Sequence, residues 1–246
     1  MAKASDARHN QVGFAAINNA QWCAAMCRAH GGRSHLSASL WHADQQMPAF
    51  YPRAVTLRST AQAQAEILRK IASARLEAGS TVKDSYASLD LSGAGFAPAF
   101  DATWLWRPLD APGGEAGEVQ WRRVADEATL TRWQAAWAPE AVQPPVFVPA
   151  LLQQSEHFIL AGWRGGQIVA GCVASHSKSV IGLSNWFAAG TPEAAEEAAA
   201  LRACIVAIGQ WHPELPVAGY ESGERLARFQ QAGFAPIGPL RVWRKS

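Results

Sequence analysis

Leu215-Pro-Val-Ala-Gly219-Tyr-Glu-Ser222-Gly-Glu-Arg-Leu-Ala-Arg-Phe229-Gln-Gln-Ala-Gly233-Phe234-Ala-Pro-Ile-Gly238-Pro-Leu-Arg-Val-Trp243 is the stretch on which the reading of the whole chain turns. A short apolar strand runs into a polar turn. An amphipathic helix follows, with Leu226, Phe229 and Gln230 at three-to-four spacing, and Gly233 falls where a left-handed helix terminus is expected. Phe234 then opens a final strand.

An earlier part of the chain ends in the same way. Ala94-Gly-Phe-Ala-Pro98 recurs as Ala232-Gly-Phe-Ala-Pro236, and each copy runs into an aromatic strand, Trp104-Leu-Trp106-Arg107 in one and Arg241-Val-Trp243-Arg244 in the other. Upstream of each lies a helix and a strand. Thr60 caps a predicted helix through Leu76 with Ile67, Leu68 and Ile71 on one face, followed by a strand near Thr81-Val-Lys-Asp-Ser-Tyr86. Thr191 caps the second helix, starting at Pro192, with Leu201, Cys204, Ile205 and Ile208 inward. The repeated order points to two related halves. Between them, 109–118 is rich in Pro, Gly and acid and reads as a linker.

The second half continues the pattern backwards. Val119 to Val124 reads as its first strand, Asp126 as a cap, and Leu130, Trp133 and Trp137 as a buried helical stripe. Arg164-Gly-Gly-Gln167 joins two strands as a hairpin, and Val180 to Phe187 adds another, giving an expected sheet of six or seven strands. The first half is less regular, with a helix around Asn19 to His30 and a strand over Met47 to Leu57.

The strand, helix, Gly-Phe, strand order resembles the C-terminal end of GNAT-type N-acetyltransferases, which bind acetyl-CoA between two splayed strands just upstream. That resemblance implies an α/β (α+β) fold of two GNAT-like units, each a mixed sheet flanked by helices: a degenerate half over 1–108 and a fuller acyltransferase domain over 119–246. The implied reaction moves an acetyl or other acyl group from acyl-CoA to an amine that the sequence does not identify.

In that family the coenzyme's pyrophosphate lies on a loop of Arg or Gln, two residues, Gly, one residue, Gly or Ala, before a helix. Free N–H groups and the helix dipole converge there on the anion. The matching stretch is Trp186-Phe187-Ala-Ala-Gly190-Thr191-Pro192-Glu193-Ala-Ala-Glu196-Glu197. Trp186, Phe187, Gly190 and Thr191 are the candidate coenzyme contacts. The three glutamates already complement the dipole, as in a well-capped structural helix. Arg58-Ser59-Thr60, before the first-half helix, is a second candidate anion site, with an ordinary cap and a surface arginine as the plain alternative.

The family's tyrosine, four residues ahead of the glycine, is here Phe229, which has no transferable proton. The asparagine that often opens this helix is Ser222, and the strand before the loop offers Ser184 and Asn185 in place of a glutamate. Tyr220 and Glu221 are therefore the catalytic candidates, as acid and as base through a water. Asp84, Ser85 and Tyr86, in the equivalent turn of the first half, are the substrate-binding candidates, with turn chemistry as the alternative.

Composition narrows the partners. A net charge of +2 with 17% charged residues gives no basic surface for nucleic acid, and the N-terminus and the apolar runs suggest neither signal peptide nor membrane span. The cytoplasm is the expected compartment, and a homodimer is compatible with the sequence. Cys23, Cys27, Cys172 and Cys204 read as buried thiols. Cys23, Cys27 and His30 share a helical face without a fourth ligand, and His157 and His176 end strands as structural histidines, so no metal site is expected. Besides acyl transfer, the chain fits a GNAT-fold binding or regulatory protein without catalysis. An aminoacyl-tRNA-dependent transferase would need a basic groove.

Overall fold

The computed structural model describes residues 2–74, 76–108, 119–138, 140, 142–190 and 192–246; the expected linker at 109–118 and the expected cap Thr191 lie outside them. In chain order the elements begin with α1 (Ala2–Ala29), β1 (Ser34–Leu36), β2 (Leu40–Ala43), β3 (Ala54–Thr56), α2 (Ala61–Ser73), β4 (Thr81–Asp84) and β5 (Phe96–Arg107). They continue with β6 (Gln120–Arg123), α3 (Glu127–Trp137), β7 (His157–Arg164), β8 (Gln167–His176), β9 (Ile181–Ala188), α4 (Ala194–Gly209), β10 (Val217–Glu221), α5 (Gly223–Gln231) and β11 (Ala235–Lys245). Two compact units result, Met1–Trp104 with Ile237–Ser246, and Leu105–Pro236. No helix among the described residues is long and apolar enough to cross a membrane.

In the first unit α2 links the parallel strands β3 and β4, and β4 pairs antiparallel with the C-terminal strand β11, Asp84 facing Arg241. Helix α1 starts far upstream of the expected Asn19. Its buried stripe, Val12, Ala15, Ala16, Ala20, Cys23 and Met26, has helical spacing. Half of that stripe is alanine, which contrasts little with the outer face, so periodicity misses the first half of the helix. The strand expected over Met47 to Leu57 shrinks to β3. Pro48 and Pro52 cannot donate to a ladder, and Phe50 takes a left-handed φ of 71°. As expected, Thr60 caps α2, its side chain accepting the Ala63 N–H at 3.3 Å, and Ile67 and Ile71 are buried.

Together with the end of β5 and the start of β11, the second unit holds β6 to β10 whole, in spatial order β10-β9-β8-β7-β6. Neighbours are antiparallel except β9 and β10, which run parallel. Asp126 caps α3 by accepting the Thr129 N–H at 2.8 Å. Helix α4 begins at Ala194 with Glu193 as its N-cap, not at Pro192. Glu193 and Glu196 form a capping box there, each side chain accepting the other's backbone N–H. Leu201, Cys204 and Ile208 of α4 are buried with Phe158, Leu160, Cys172 and Leu183. Each such aliphatic side chain contributes roughly 1.5–3 kcal/mol relative to exposure.

On the opposite face of this sheet Trp133 is fully buried, edge-on to Phe147 at 4.8 Å and Phe187 at 5.2 Å, and its Nε1 donates to Leu160 O at 2.8 Å. Gly171 makes room for that cluster. A Cβ there would lie 2.8 Å from Phe187 Cζ and closer still to Trp133 Nε1. Gly171→Ala is expected to cost about 1–3 kcal/mol by overpacking. Urea denaturation measures it, and an unchanged midpoint would mean that the aromatic cluster yields freely.

Candidate functional site

In the second unit β9 and β10 run side by side only briefly. Their parallel register joins Val217 to Ile181 and Ala218 to Gly182. One residue on, a Cβ at Gly219 would sit 2.9 Å from Leu183 O, so only glycine lets the backbones approach this closely. Beyond it β9 turns aside. The β8–β9 register shifts opposite Asn185, whose φ is 54°, a left-handed value that asparagine tolerates better than most residues. The strands part there, at the carboxyl end of β10.

Strand alternation sorts the side chains at the parting. Tyr220 shares the face of Ala218 and of Ser184 across the gap, and Ser184 Oγ is a buried hydroxyl without a hydrogen-bond partner among the described residues. Glu221 points to the other face, with Gly219, whose Cβ position lies 3.9 Å from Phe229. The two catalytic candidates are thus adjacent in sequence but face opposite sides of the sheet. Only a group threaded between the strands meets both.

Burial raises the Glu221 carboxyl from 4.5 to about 7; Arg225 acts against the shift, the Glu197 carboxylate adds to it, and the Ser222 N–H opposes it. A carboxylate titrating near neutrality suits proton transfer. Glu197 itself is buried in the first turn of α4. Its Oε1 accepts the Trp186 Nε1–H at 3.0 Å, and its Oε2 accepts from Arg228 of α5. Arg225 completes the network by donating to Trp186 O at 3.4 Å.

The remaining candidates are placed as follows. Trp186 and Phe187 are buried on opposite faces of β9, Trp186 stacking on Trp121 at 5.9 Å, so a ligand meets their backbone rather than their rings. Gly190 takes φ 77° before α4, with open space around it. The Glu193 N–H already donates to the Glu196 carboxylate at 3.4 Å. Phe229 is core, 5.2 Å from Phe234. The expected glycine terminus is present, Gly233 having φ 93°.

In the first unit Arg58 Nε donates to Ala38 O at 3.2 Å, Ser59 O accepts from Gln64 at 3.1 Å, and Thr60 caps α2. Asp84 is buried. It accepts from the Tyr86 N–H at 3.2 Å and the Leu89 N–H at 2.8 Å, which builds the turn. Ser85 is also buried, its N–H donating to Thr56 Oγ1 at 2.8 Å and its carbonyl accepting from Trp104 Nε1 at 2.9 Å. Tyr86 donates to Leu57 O at 3.1 Å, and burial raises its hydroxyl.

No family model matches the sequence, and no curated protein matches it. Solved structures do. A GCN5-related N-acetyltransferase from Kribbella flavida superposes with a TM-score of 0.61 over 92% of this chain and 95% of its own, at 13% identity. Another, from Sphaerobacter thermophilus, gives 0.53 over 86% and 81%, at 15% identity. The chain has the GNAT fold. A functionally unknown conserved protein from Staphylococcus epidermidis shares it as well, with a TM-score of 0.57 at 9% identity over 87% of this chain and 94% of that one. The parting of β9 and β10 lies at the carboxyl end of β10 in this fold. The Glu197–Arg228–Trp186 network beside it joins residues of β9, α4 and α5, and no local spacing in the sequence signals it.

Proposed function

We propose that this GNAT-fold protein transfers an acyl group from acetyl-CoA or another acyl-CoA to a small-molecule amine, with the thioester held where β9 and β10 part. The observation that supports it most is Glu221, a carboxyl raised to about 7 at the mouth of that parting. Its carboxylate takes a proton from the amine through a water, the amine nitrogen bonds to the thioester carbon, and the carbon–sulfur bond breaks. Tyr220, reached from the other face, gives its proton to the leaving thiolate. Asp84 and Ser85 are enclosed in turn structure and stay outside this scheme.

A thiol-release assay with acetyl-CoA and a panel of amines tests the reading. Amine-dependent release is expected, and Tyr220→Phe is expected to slow it about 10²-fold. An unchanged rate in that variant would move the acid elsewhere.

A second reading, a catalytically inactive GNAT-fold ligand-binding or regulatory protein, is favoured by α4, whose first turn is capped by Glu193 and Glu196 and so repels phosphate. It predicts neither donor binding nor thiol release for any amine.

A further inference from the structure

We propose that His176, His212 and Glu214 form a Zn2+ site in the second unit, separate from the parting of β9 and β10. His176 ends β8, while His212 and Glu214 lie in the turn that follows α4. The two imidazole rings stack with centroids 4.3 Å apart and planes 26° from parallel. His212 Nδ1 is 3.9 Å from Glu214 Oε1, and one donor atom from each of the three residues lies within 4.8 Å of the others.

Zinc holds imidazole nitrogen and carboxylate oxygen at about 2.0–2.2 Å in tetrahedral geometry, which places donors roughly 3.3 Å apart. The triad, with donors up to 4.8 Å apart, therefore has to contract by up to about 1.5 Å to close on the ion. Glu214 supplies much of that movement, since its side chain is 63% exposed. The fold holds the backbones of the two histidines, and their stacked rings turn about the side-chain torsions to aim one nitrogen each at the ion. The His176 N–H donates to Glu156 O at 2.7 Å, the His212 N–H donates to Ile208 O at 3.2 Å, and Phe158 lies against the His212 ring at 6.1 Å.

The surroundings suit a cation. The carbonyl end of α4 is the negative end of its dipole, and Glu214 adds a full charge. Arg123, held over Phe158 at 4.2 Å and Trp211 at 4.6 Å, is the nearby positive group and acts against the ion. Two imidazoles and one carboxylate favour zinc-like ions over Mg2+ or Ca2+, which require oxygen donors. Three protein ligands leave the fourth position to water. In the sequence His176 and His212 are far apart, and only the packing of α4 against the sheet brings them together.

The test is calorimetric titration of Zn2+ into the full-length chain, with Co2+ absorbance as a report of tetrahedral coordination. One equivalent is expected to bind. His176→Ala and His212→Ala are each expected to weaken it by about 10²-fold or more, and Glu214→Gln by about tenfold. His35→Ala is the control: His35 stacks on His42 at 5.0 Å and pairs with Asp44 at 2.8 Å in the first unit, and its loss should leave the affinity unchanged. Absence of uptake by the wild-type chain overturns the site whatever the variants do. So does uptake that survives both histidine substitutions, in variants whose metal-free circular dichroism matches wild type.

Discussion

Glu221→Gln is expected to lower kcat/KM for acyl transfer by about 10²–10⁴-fold while leaving donor affinity nearly unchanged, because it removes the proton acceptor and keeps the shape. In the wild-type protein kcat/KM should rise with pH through a midpoint near 7, the value to which burial lifts the carboxyl, and the variant should lack that limb. Stability should move the other way. The folded carboxyl keeps its proton up to about 7, whereas the unfolded one releases it near 4.5. Between those values the folded state binds more protons, so stability present at lower pH is lost as pH rises through 7. The loss is of the order of 3 kcal/mol. Glutamine avoids it, so the variant should melt higher than wild type above pH 7 and equally below about pH 4. A pH–rate profile beside thermal melts separates the two effects. A variant that is less stable at high pH, or that keeps its pH-dependent limb, would remove Glu221 from the role of base.

Arg228→Met is expected to destabilise the protein by about 3–5 kcal/mol. The side chain of Glu197 is 4% exposed, and Arg228 is its charged partner, with the Trp186 N–H as a neutral one. Taking away the arginine leaves a carboxylate desolvated without its countercharge. The second partner of Arg228, Glu224 at 3.6 Å, is 93% exposed and contributes little. Replacing both members, Glu197→Leu with Arg228→Met, should recover most of the loss, since an apolar pair requires no desolvation of charge. Urea denaturation of the two variants decides it. A single variant within about 1 kcal/mol of wild type would mean that water already screens the pair.

The sequence made the second unit legible because its elements carry strong local signals. Turn chemistry marks the hairpin of β7 and β8, Gly165 and Gly166 taking the positive φ that it requires, and Asp126 caps α3 as its position predicts. The same kind of signal fails in α1, where half of the named buried stripe is alanine, and in β3, where proline interrupts the ladder. At the site, the opposite facing of Tyr220 and Glu221 follows from strand alternation and could have been read directly. The Glu197–Arg228 pair could not, because α4 and α5 meet only through tertiary packing. In the sequence one of three glutamates that complement the helix dipole, Glu197 is the buried centre of a network linking β9 to α5. The turn at Asp84 shows the reverse: polar residues at a strand end that look like a site are occupied by backbone hydrogen bonds.

Calorimetric titration of the purified protein with acetyl-CoA, at modest salt, bears most directly on the claim that the parting of β9 and β10 receives an acyl donor. Saturable one-to-one binding that Gly219→Ala weakens is the predicted result, since a Cβ at that position meets Leu183 O and displaces the strands that frame the gap. No binding at millimolar donor, or binding indifferent to Gly219→Ala, would contradict it.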